Sequence, residues 1–116
     1  MPKIHTALFL LCALAWPALS IAETITPIND IRRGMSVNLH GEVTRILDED
    51  EFRLEDATGS IRVYIGWKNR VQVKTGEKVT VRGVVDDDLA DYFRPEVYAT
   101  EIVREDGSII QLHHGD

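Results

Sequence analysis

Residues 37–65 read VNLHGEVTRILDEDEFRLEDATGSIRVYI, and this stretch decides the fold. Apolar side chains alternate with polar ones along three successive runs of it. A period of two places every second side chain on the same face of a β-strand, so each run predicts a strand with one buried face. The runs are separated by the acidic Asp48–Glu51 and by Asp56–Gly59, and both compositions are typical of turns.

The same period continues downstream. Val79–Val85 alternates in the same way, a fifth strand is predicted from Pro95 to about Val103, and a short strand is predicted at 109–112. Upstream, Asn29 is expected to cap a short helical turn, and residues 67–75 have room for one or two helical turns at most. The sequence therefore indicates an all-β protein.

Gly41 lies in the middle of the first and longest run. A glycine inside a strand often marks a bulge or a bend, and the alternation slips after it, since Ile46 and Leu47 are both apolar. A long first strand that bends at a glycine can serve two sheets, which is how a five-stranded Greek-key barrel of the OB-fold type closes. We therefore predict an OB-fold barrel.

Residues 1–22 have the pattern of a secretory signal peptide. Lys3 precedes an apolar run, and the small residues Ser20 and Ala22 suit the −3 and −1 positions of a cleavage site. A transmembrane anchor would need about 20 apolar residues, and this run is shorter. We expect cleavage after Ala22, which leaves residues 23–116 as one periplasmic domain without a membrane span.

Composition excludes several classes of protein. The 116 residues include 13 Lys and Arg against 19 Asp and Glu, a net charge of −6. Nucleic-acid binding is therefore not expected, because such proteins carry a basic patch. The single cysteine, Cys12, lies in the signal peptide, so the mature chain has neither a disulfide nor a cysteine metal site.

No catalytic constellation is recognisable. A G-x-S-x-G nucleophile motif is absent from the sequence, and one small barrel has no second lobe with which to form the cleft that paired glycosidase carboxylates need. We predict that the protein is not an enzyme and needs no cofactor.

An OB-fold binds ligands on the outer face of its second and third strands. By parity, the outward residues there are Arg53, Glu55, Arg62 and Tyr64. The favoured interpretation of the two arginines is surface ion pairing with Glu55 or Glu42 across the strands. The alternative is recognition of an anionic glycan or a lipid head group.

Trp67 follows the third strand and joins this predicted ligand-binding set. A plug at the end of the barrel is the favoured interpretation, and a platform for stacking a sugar or a base is the alternative. The pair His113-His114 has the side chains of a transition-metal site, but adjacent histidines in a mobile tail are weak evidence for one.

The loop after the fourth strand contains Asp86, Asp87 and Asp88. Three adjacent carboxylates repel one another unless something neutralises them, so this is the candidate cation-binding loop. The favoured interpretation of the acidic loops, however, is that they are solvated tips that keep the protein soluble. No particular metal is indicated, because Asp48–Phe52 departs from the EF-hand pattern.

Several motifs within 37–102 match one known family. They are Gly41-Glu42-Val43, Phe52-Arg53-Leu54-Glu55-Asp56, Thr58-Gly59, Ile61-x-Val63-x-Ile65, Trp67 and Gly83-Val84-Val85-Asp86. The chain thereby resembles the bacterial OB-fold (BOF) family, the small exported proteins of YgiW/YdeI type linked with stress tolerance. It departs from the usual pattern at Asn69, where a glycine is frequent, at Glu96–Ala99, and in a longer tail. The resemblance implies an exported binding module with no known catalysis.

We therefore expect a non-enzymatic periplasmic OB-fold module that supports envelope stress tolerance by binding a small or cationic ligand. One alternative is an adaptor that binds envelope polysaccharide or a partner protein. Another is a haem- or metal-handling module. The sequence does not indicate the ligand, the oligomeric state or the particular stress.

Overall fold

The structure, a computed structural model, describes residues 24–87 and 95–114. Within these ranges the regular structure is β, apart from one short 3-10 helix at Ile28–Asp30. None of the helical structure described is long and apolar enough to cross a membrane. The predicted signal peptide with its cleavage after Ala22, and Asp88 of the acidic loop, lie outside the described residues.

The strands of the described ranges form one sheet. They are β1 (Ser36–Asp48), β2 (Glu51–Asp56), β3 (Gly59–Tyr64), β4 (Lys78–Val85), β5 (Glu96–Arg104) and β6 (Ile109–Gln111). Their order is β3-β2-β1-β4-β5-β6, and a parallel pairing between β3 and β5 closes the first five into a barrel. The predicted five-stranded OB-fold barrel is confirmed, and β6 coincides with the predicted short strand at 109–112.

The long strand β1 serves both halves of the barrel. It pairs with β4 as far as Glu42 and with β2 from there onward. Opposite β2 the register slips between Val43 and Arg45, which makes Thr44 the extra residue of a β-bulge. The predicted irregularity in the first strand is therefore present, just beyond Gly41.

Gly41 lies where β1 passes close to the backbone of β2. A Cβ atom at this position would lie 2.4 Å from the carbonyl oxygen of Glu55. That contact is with backbone of a paired strand, so it cannot be relieved by turning a side chain. A residue without a Cβ is therefore required at this crossing.

The core fills the inside of the barrel, because the pleat directs alternate side chains of every strand inward. Phe52, Leu54 and Leu39 are the largest side chains with no exposed surface. The 3-10 helix adds Ile28 to this cluster, and the connection between β3 and β4 adds Val73. The other side chains of the same strands face outward, and this outer surface carries the candidate site.

One local expectation, the cap of the helical turn, is wrong. Asn29 does not cap the 3-10 helix, whose N-cap residue is Pro27; instead the Ile28 N–H donates to Asp56 Oδ2 at 2.9 Å. The connection at 66–77 contains no helix, which agrees with the predicted limit of one or two helical turns at most. In both segments, bonds to residues distant in the chain replace the local ones that sequence patterns describe.

Candidate functional site

The outer face of β1, β2 and β3, extended by the start of β5, is the candidate site. OB-folds bind ligands on this face, beside the β1–β2 and β4–β5 loops. All four strand residues predicted for it lie on it. We call the following outward side chains the ligand face: Glu42, Arg45, Glu51, Arg53, Glu55, Arg62, Tyr64, Glu96 and Tyr98.

Three arginines occupy directly opposed positions on neighbouring strands of the ligand face. Arg45 on β1 is the register partner of Arg53 on β2, and Arg53 is the partner of Arg62 on β3. Directly opposed residues have Cβ atoms about 5 Å apart, and like charges in that arrangement destabilise a sheet. We call these three residues the arginine row.

The members of the arginine row differ in how they are held. Arg45 is exposed, and no hydrogen bond or ion pair joins it to another residue of the described ranges. Arg53 donates from Nη1 to Ser60 Oγ at 3.3 Å. Two of the three guanidinium groups therefore have no carboxylate partner in the described structure.

Arg45 is the member that sequence reasoning missed. Strict alternation places Thr44 on the outer face and gives no reason to place its neighbour there. The bulge at Thr44 shifts the pleat by one residue and brings Arg45 to the outer face beside Arg53. The adjacent apolar residues Ile46 and Leu47, which interrupt the period, are the signal that could have located it.

Arg62 lies between two carboxylates. Its Nη1 is 3.6 Å from Glu51 Oε2, and its Nη2 is 3.9 Å from Glu96 Oε2. The predicted partners, Glu55 and Glu42, are wrong, because those two residues are register partners of each other. The true partner Glu96 comes from β5, and its position opposite Arg62 depends on the closure of the barrel.

Burial raises the pKa of Glu96 from its ordinary value of 4.5 to about 7. A side-chain hydrogen bond with Glu51 and the negative charges of Glu51 and Asp86 act in the same direction, while Arg62 opposes them. Two carboxyl groups that share a hydrogen bond hold a proton between them. This part of the ligand face therefore changes charge near neutral pH.

An aromatic pair flanks the arginine row. Tyr64 and Tyr98 are register partners on β3 and β5, with ring centroids 5.6 Å apart and an interplanar angle of 61°. This is the edge-to-face arrangement that aromatic rings prefer. Tyr98 is 44% exposed, so the pair offers an aromatic surface one row of side chains away from Arg62.

The predicted role of Trp67 as a barrel plug is wrong. Its side chain is 71% exposed, and Lys68 Nζ lies 5.3 Å from its ring centroid. Gly66, at φ 96°, turns the chain at the end of β3. The apolar side chain that this connection buries in the core is Val73 instead.

The connection that carries Trp67 is held against the β1–β2 loop. The Ile65 N–H donates to Asp50 O at 3.0 Å, and the Val71 N–H donates to Glu49 O at 2.9 Å. These two bonds bracket Trp67 in the chain, so the exposed indole stands at the rim of the ligand face. That position keeps the stacking interpretation of Trp67 open.

A groove of about 430 Å³ lies on the other side of the arginine row. Glu42 and Glu55 face each other across it as register partners, and Lys78 opposes Glu42 from β4. Among the described residues, neither glutamate forms an ion pair. The ligand face thus alternates in charge, with the arginine row between carboxylates on both sides.

The structure does not give the acidic residues after β4 a common environment. Asp86 is buried and its N–H donates to Glu96 O at 2.8 Å, whereas Asp87 is exposed. Asp88 lies outside the described residues. In the described ranges, no group of three or more His, Cys, Asp or Glu side chains is placed to hold a metal ion.

The histidine pair near the C-terminus is packed against the barrel. His114 Nε2 lies 2.6 Å from the Ala99 carbonyl oxygen, so this nitrogen donates a proton and has no lone pair for a metal. His113 is exposed, and its backbone bonds to the side chain of Asn69. The Nε2 atom of His114 is therefore engaged with the barrel backbone and is not available to a metal ion.

Comparison with known proteins places this geometry in context. A family model described as Bacterial OB fold (BOF) protein matches residues 17–102. The structure of the hypothetical protein ygiW from E. coli is similar with a TM-score of 0.57 and 23% identity, covering 77% of this chain and 99% of that one.

A weaker similarity joins the chain to asparaginyl-tRNA synthetase from Pyrococcus horikoshii. The TM-score is 0.48 and the identity 22%, covering 71% of this chain and 21% of the synthetase. No curated protein sequence matches the chain.

Proposed function

The chain belongs to the bacterial OB-fold (BOF) family, and we propose that it is an exported, non-catalytic module that binds an anionic component of the bacterial envelope. The compartment follows from the signal-peptide pattern of residues 1–22, which implies a periplasmic mature chain. Binding of an envelope component is also a direct route by which such a module supports envelope stress tolerance.

The observation that carries this proposal is the arginine row. Three arginines occupy directly opposed positions on neighbouring strands, and like charges so placed cost stability unless a ligand neutralises them. Each guanidinium is a planar fork whose donors match the oxygens of a carboxylate, phosphate or sulfate. Arg45 and Arg53 have donors with no carboxylate partner in the described structure.

The surroundings of the row limit the shape of the ligand. Carboxylates flank it on both sides: Glu51 on one and Glu55 on the other. A nucleic acid spreads its phosphates over a wide basic surface and depends on counterion release, whereas this basic strip is one row of side chains wide. The face therefore favours a ligand with discrete anionic groups, such as an acidic polysaccharide.

Aromatic side chains suit the same ligand class. Tyr64 and Tyr98 expose ring surface next to the row, and Trp67 stands exposed at the rim. Aromatic rings pack against apolar faces such as those of sugar rings while their polar atoms stay in water. An acidic polysaccharide would present both the anionic groups and the ring faces that these residues can contact.

The test is titration of the mature chain with fluorescently labelled dextran sulfate, which keeps its negative charge at all working pH values. We expect Arg45→Ala and Arg53→Ala each to weaken binding about tenfold, the loss of one charge-assisted contact. Arg32→Ala is the matched control, because Arg32 is exposed and precedes β1. Equal weakening by all three variants, or no binding by the unaltered chain, would contradict the proposal.

A small cationic ligand is the second candidate. The observation that favours it is the opposed pair of Glu42 and Glu55 in the 430 Å³ groove, since like charges directly opposite each other are destabilising. Spermidine is the probe, and Glu55→Gln is the variant. A rise in Tm with spermidine that Glu55→Gln removes and Arg53→Ala retains would support this candidate over the first.

A further inference from the structure

We propose that Glu51 and Glu96 form an internal anion that occupies Arg62, so that ligand binding at the arginine row is coupled to protonation of this carboxyl pair. This inference rests on the proposed binding of an anionic ligand at the ligand face. It goes further in making that binding dependent on pH.

The geometry of Arg62 is that of a loosely held cation. Its distances to the two carboxylates, 3.6 Å and 3.9 Å, exceed the roughly 2.8 Å of a tight charge-assisted hydrogen bond. The Arg62 side chain is 27% exposed, and the partner side chains are 18% and 13% exposed. Arg62 is thus reachable from solvent, while its two carboxylates are more enclosed than it is.

The carboxyl pair is assembled from strands that are distant in the chain. Glu51 begins β2, and Glu96 begins β5 and is the register partner of Arg62 on β3. Asp86, at the end of β4, brings a third carboxylate, and its N–H donates to the backbone of Glu96. Tyr64 lies beside the group as the register partner of Glu51.

The charge of the Glu51–Glu96 pair decides whether Arg62 can bind an anion from solvent. With both carboxylates ionised, two negative charges face one guanidinium, and both compete with any anion that approaches Arg62 from solvent. With one proton shared between the pair, a single negative charge faces Arg62. The raised pKa of Glu96, about 7, is consistent with that shared proton near neutrality.

The ligand and the carboxyl pair therefore compete for the same cation. An anionic group that binds Arg62 displaces part of its interaction with Glu96, which raises the pKa of Glu96 further and takes up a proton. By linkage, the ligand then binds more tightly in acid. Arg45 and Arg53 lack such an internal anion, so the effect is specific to the Arg62 end of the row.

The experiment is the titration of the mature chain with labelled dextran sulfate at about pH 5.5 and about pH 8. We expect the affinity of the unaltered chain to be roughly tenfold higher at the lower pH, as one linked proton allows. Glu96→Gln should bind at both pH values with the affinity that the unaltered chain has in acid. Glu51→Gln is the second variant, with the same expectation.

Glu101→Gln is the matched control. Glu101 lies on the same strand as Glu96, but it pairs with Arg82 on β4, so the substitution removes the same charge away from the ligand face. It should retain the full pH dependence. Because the sulfate groups do not titrate in this range, pH dependence that remains in Glu96→Gln belongs to groups of the protein other than Glu96.

The outcomes separate the two proposals. If the unaltered chain binds equally at both pH values, or if Glu96→Gln retains its pH dependence, the coupling is wrong and the binding function stands. If Glu101→Gln loses the pH dependence as fully as Glu96→Gln does, net charge is the cause and the coupling is again wrong. If no variant binds at either pH, the proposed function fails and the coupling fails with it.

Discussion

The side chain of Asn69 binds both peptide groups of His113. Its Oδ1 accepts from the His113 N–H at 3.1 Å, and its Nδ2 donates to His113 O at 2.9 Å and to Ile65 O at 2.5 Å. The Asn69 amide thus bonds the backbone of His113 as a neighbouring strand would. It holds the C-terminal segment against the connection after β3. Asn69 and the C-terminal tail are therefore in contact with each other.

This contact predicts that the tail contributes to stability. Asn69→Ala removes three hydrogen bonds and leaves backbone groups of a partly buried segment unpaired, so the free energy of unfolding should fall by about 2 kcal/mol. Urea denaturation measures the change. Asn38→Ala is the control, because the Asn38 side chain makes one exposed bond to Thr24 O at 3.3 Å; an equal loss there would contradict the docking role.

The close contact at Gly41 predicts that Gly41→Ala strongly destabilises the fold. Ala at this position would place its Cβ 2.4 Å from Glu55 O, against paired backbone, so β1 and β2 must move apart beside Gly41. We expect a loss of about 3 kcal/mol or more, comparable to other strained packing changes.

Gly59→Ala is the matched control for Gly41→Ala. A Cβ there would meet only Ile28 Cγ2 at 3.7 Å, an ordinary contact. Thermal unfolding followed by circular dichroism should therefore show a small change for Gly59→Ala and a large one for Gly41→Ala. Similar melting temperatures for the two variants would show that the crossing at Gly41 is not close.

The lowered pKa of Asp56 predicts that this carboxylate contributes to the loss of stability in acid. Burial raises the pKa of Asp56, but hydrogen bonds from Thr58, Ile28 and Gly59 outweigh it and hold the pKa below its ordinary value of 3.8. A lowered carboxyl pKa contributes stability that is present above about pH 4 and is lost as the pH falls through the folded-state pKa. Asp56→Ala should cost about 2 kcal/mol at neutral pH and make the acid limb of the stability curve shallower.

The control for Asp56 is Asp30→Ala. Asp30 is exposed at the end of the 3-10 helix, so its removal should leave the acid limb unchanged. Urea denaturation at several pH values between about 2 and 7 gives both curves. Parallel curves for Asp56→Ala and the unaltered chain would rule out the turn as a source of acid sensitivity.

The raised pKa of Glu96 predicts a contribution to stability with the opposite pH dependence. Its pKa is raised from 4.5 to about 7 in the folded chain, so the folded state binds more protons than the unfolded state between these values. The stability associated with Glu96 is therefore complete below about pH 4.5 and is lost as the pH rises through about 7. Glu96→Gln should remove this loss and raise the Tm at about pH 8 relative to the unaltered chain.

Carbon-detected NMR of the carboxyl groups checks the same statement directly. The Glu96 carboxyl should titrate near neutrality, and Glu101, paired with Arg82 elsewhere on β5, serves as the internal comparison. A Glu96 titration near its ordinary value of 4.5 would contradict both the raised pKa and the stability prediction.

The exposure of Trp67 predicts that its substitution has a negligible effect on stability. A side chain that is 71% exposed contributes little to the core, so Trp67→Phe should change the free energy of unfolding by less than about 0.5 kcal/mol. The sequence contains two tryptophans, Trp16 and Trp67, so Trp67 is the sole tryptophan in residues 23–116. Its emission should be that of solvated indole and be readily quenched by acrylamide; blue-shifted emission would indicate burial.

Alternation along the chain was sufficient to predict the class of fold and the barrel. The period of two identifies which side chains of each strand face the core, and Phe52 and Leu54 are buried as that pattern requires. The same parity placed Arg53 and Arg62 on the ligand face. These predictions succeed because burial of alternate side chains is a local property of a strand.

The arrangement between strands was decided only by the tertiary structure. The bulge at Thr44 brings Arg45 outward, barrel closure sets Glu96 opposite Arg62, and Asn69 meets the tail at His113. Trp67 is exposed, and Val73 of the same connection is the side chain that lies in the core. Each of these relations depends on register and closure between segments far apart in the chain, and local periodicity carries no information about either.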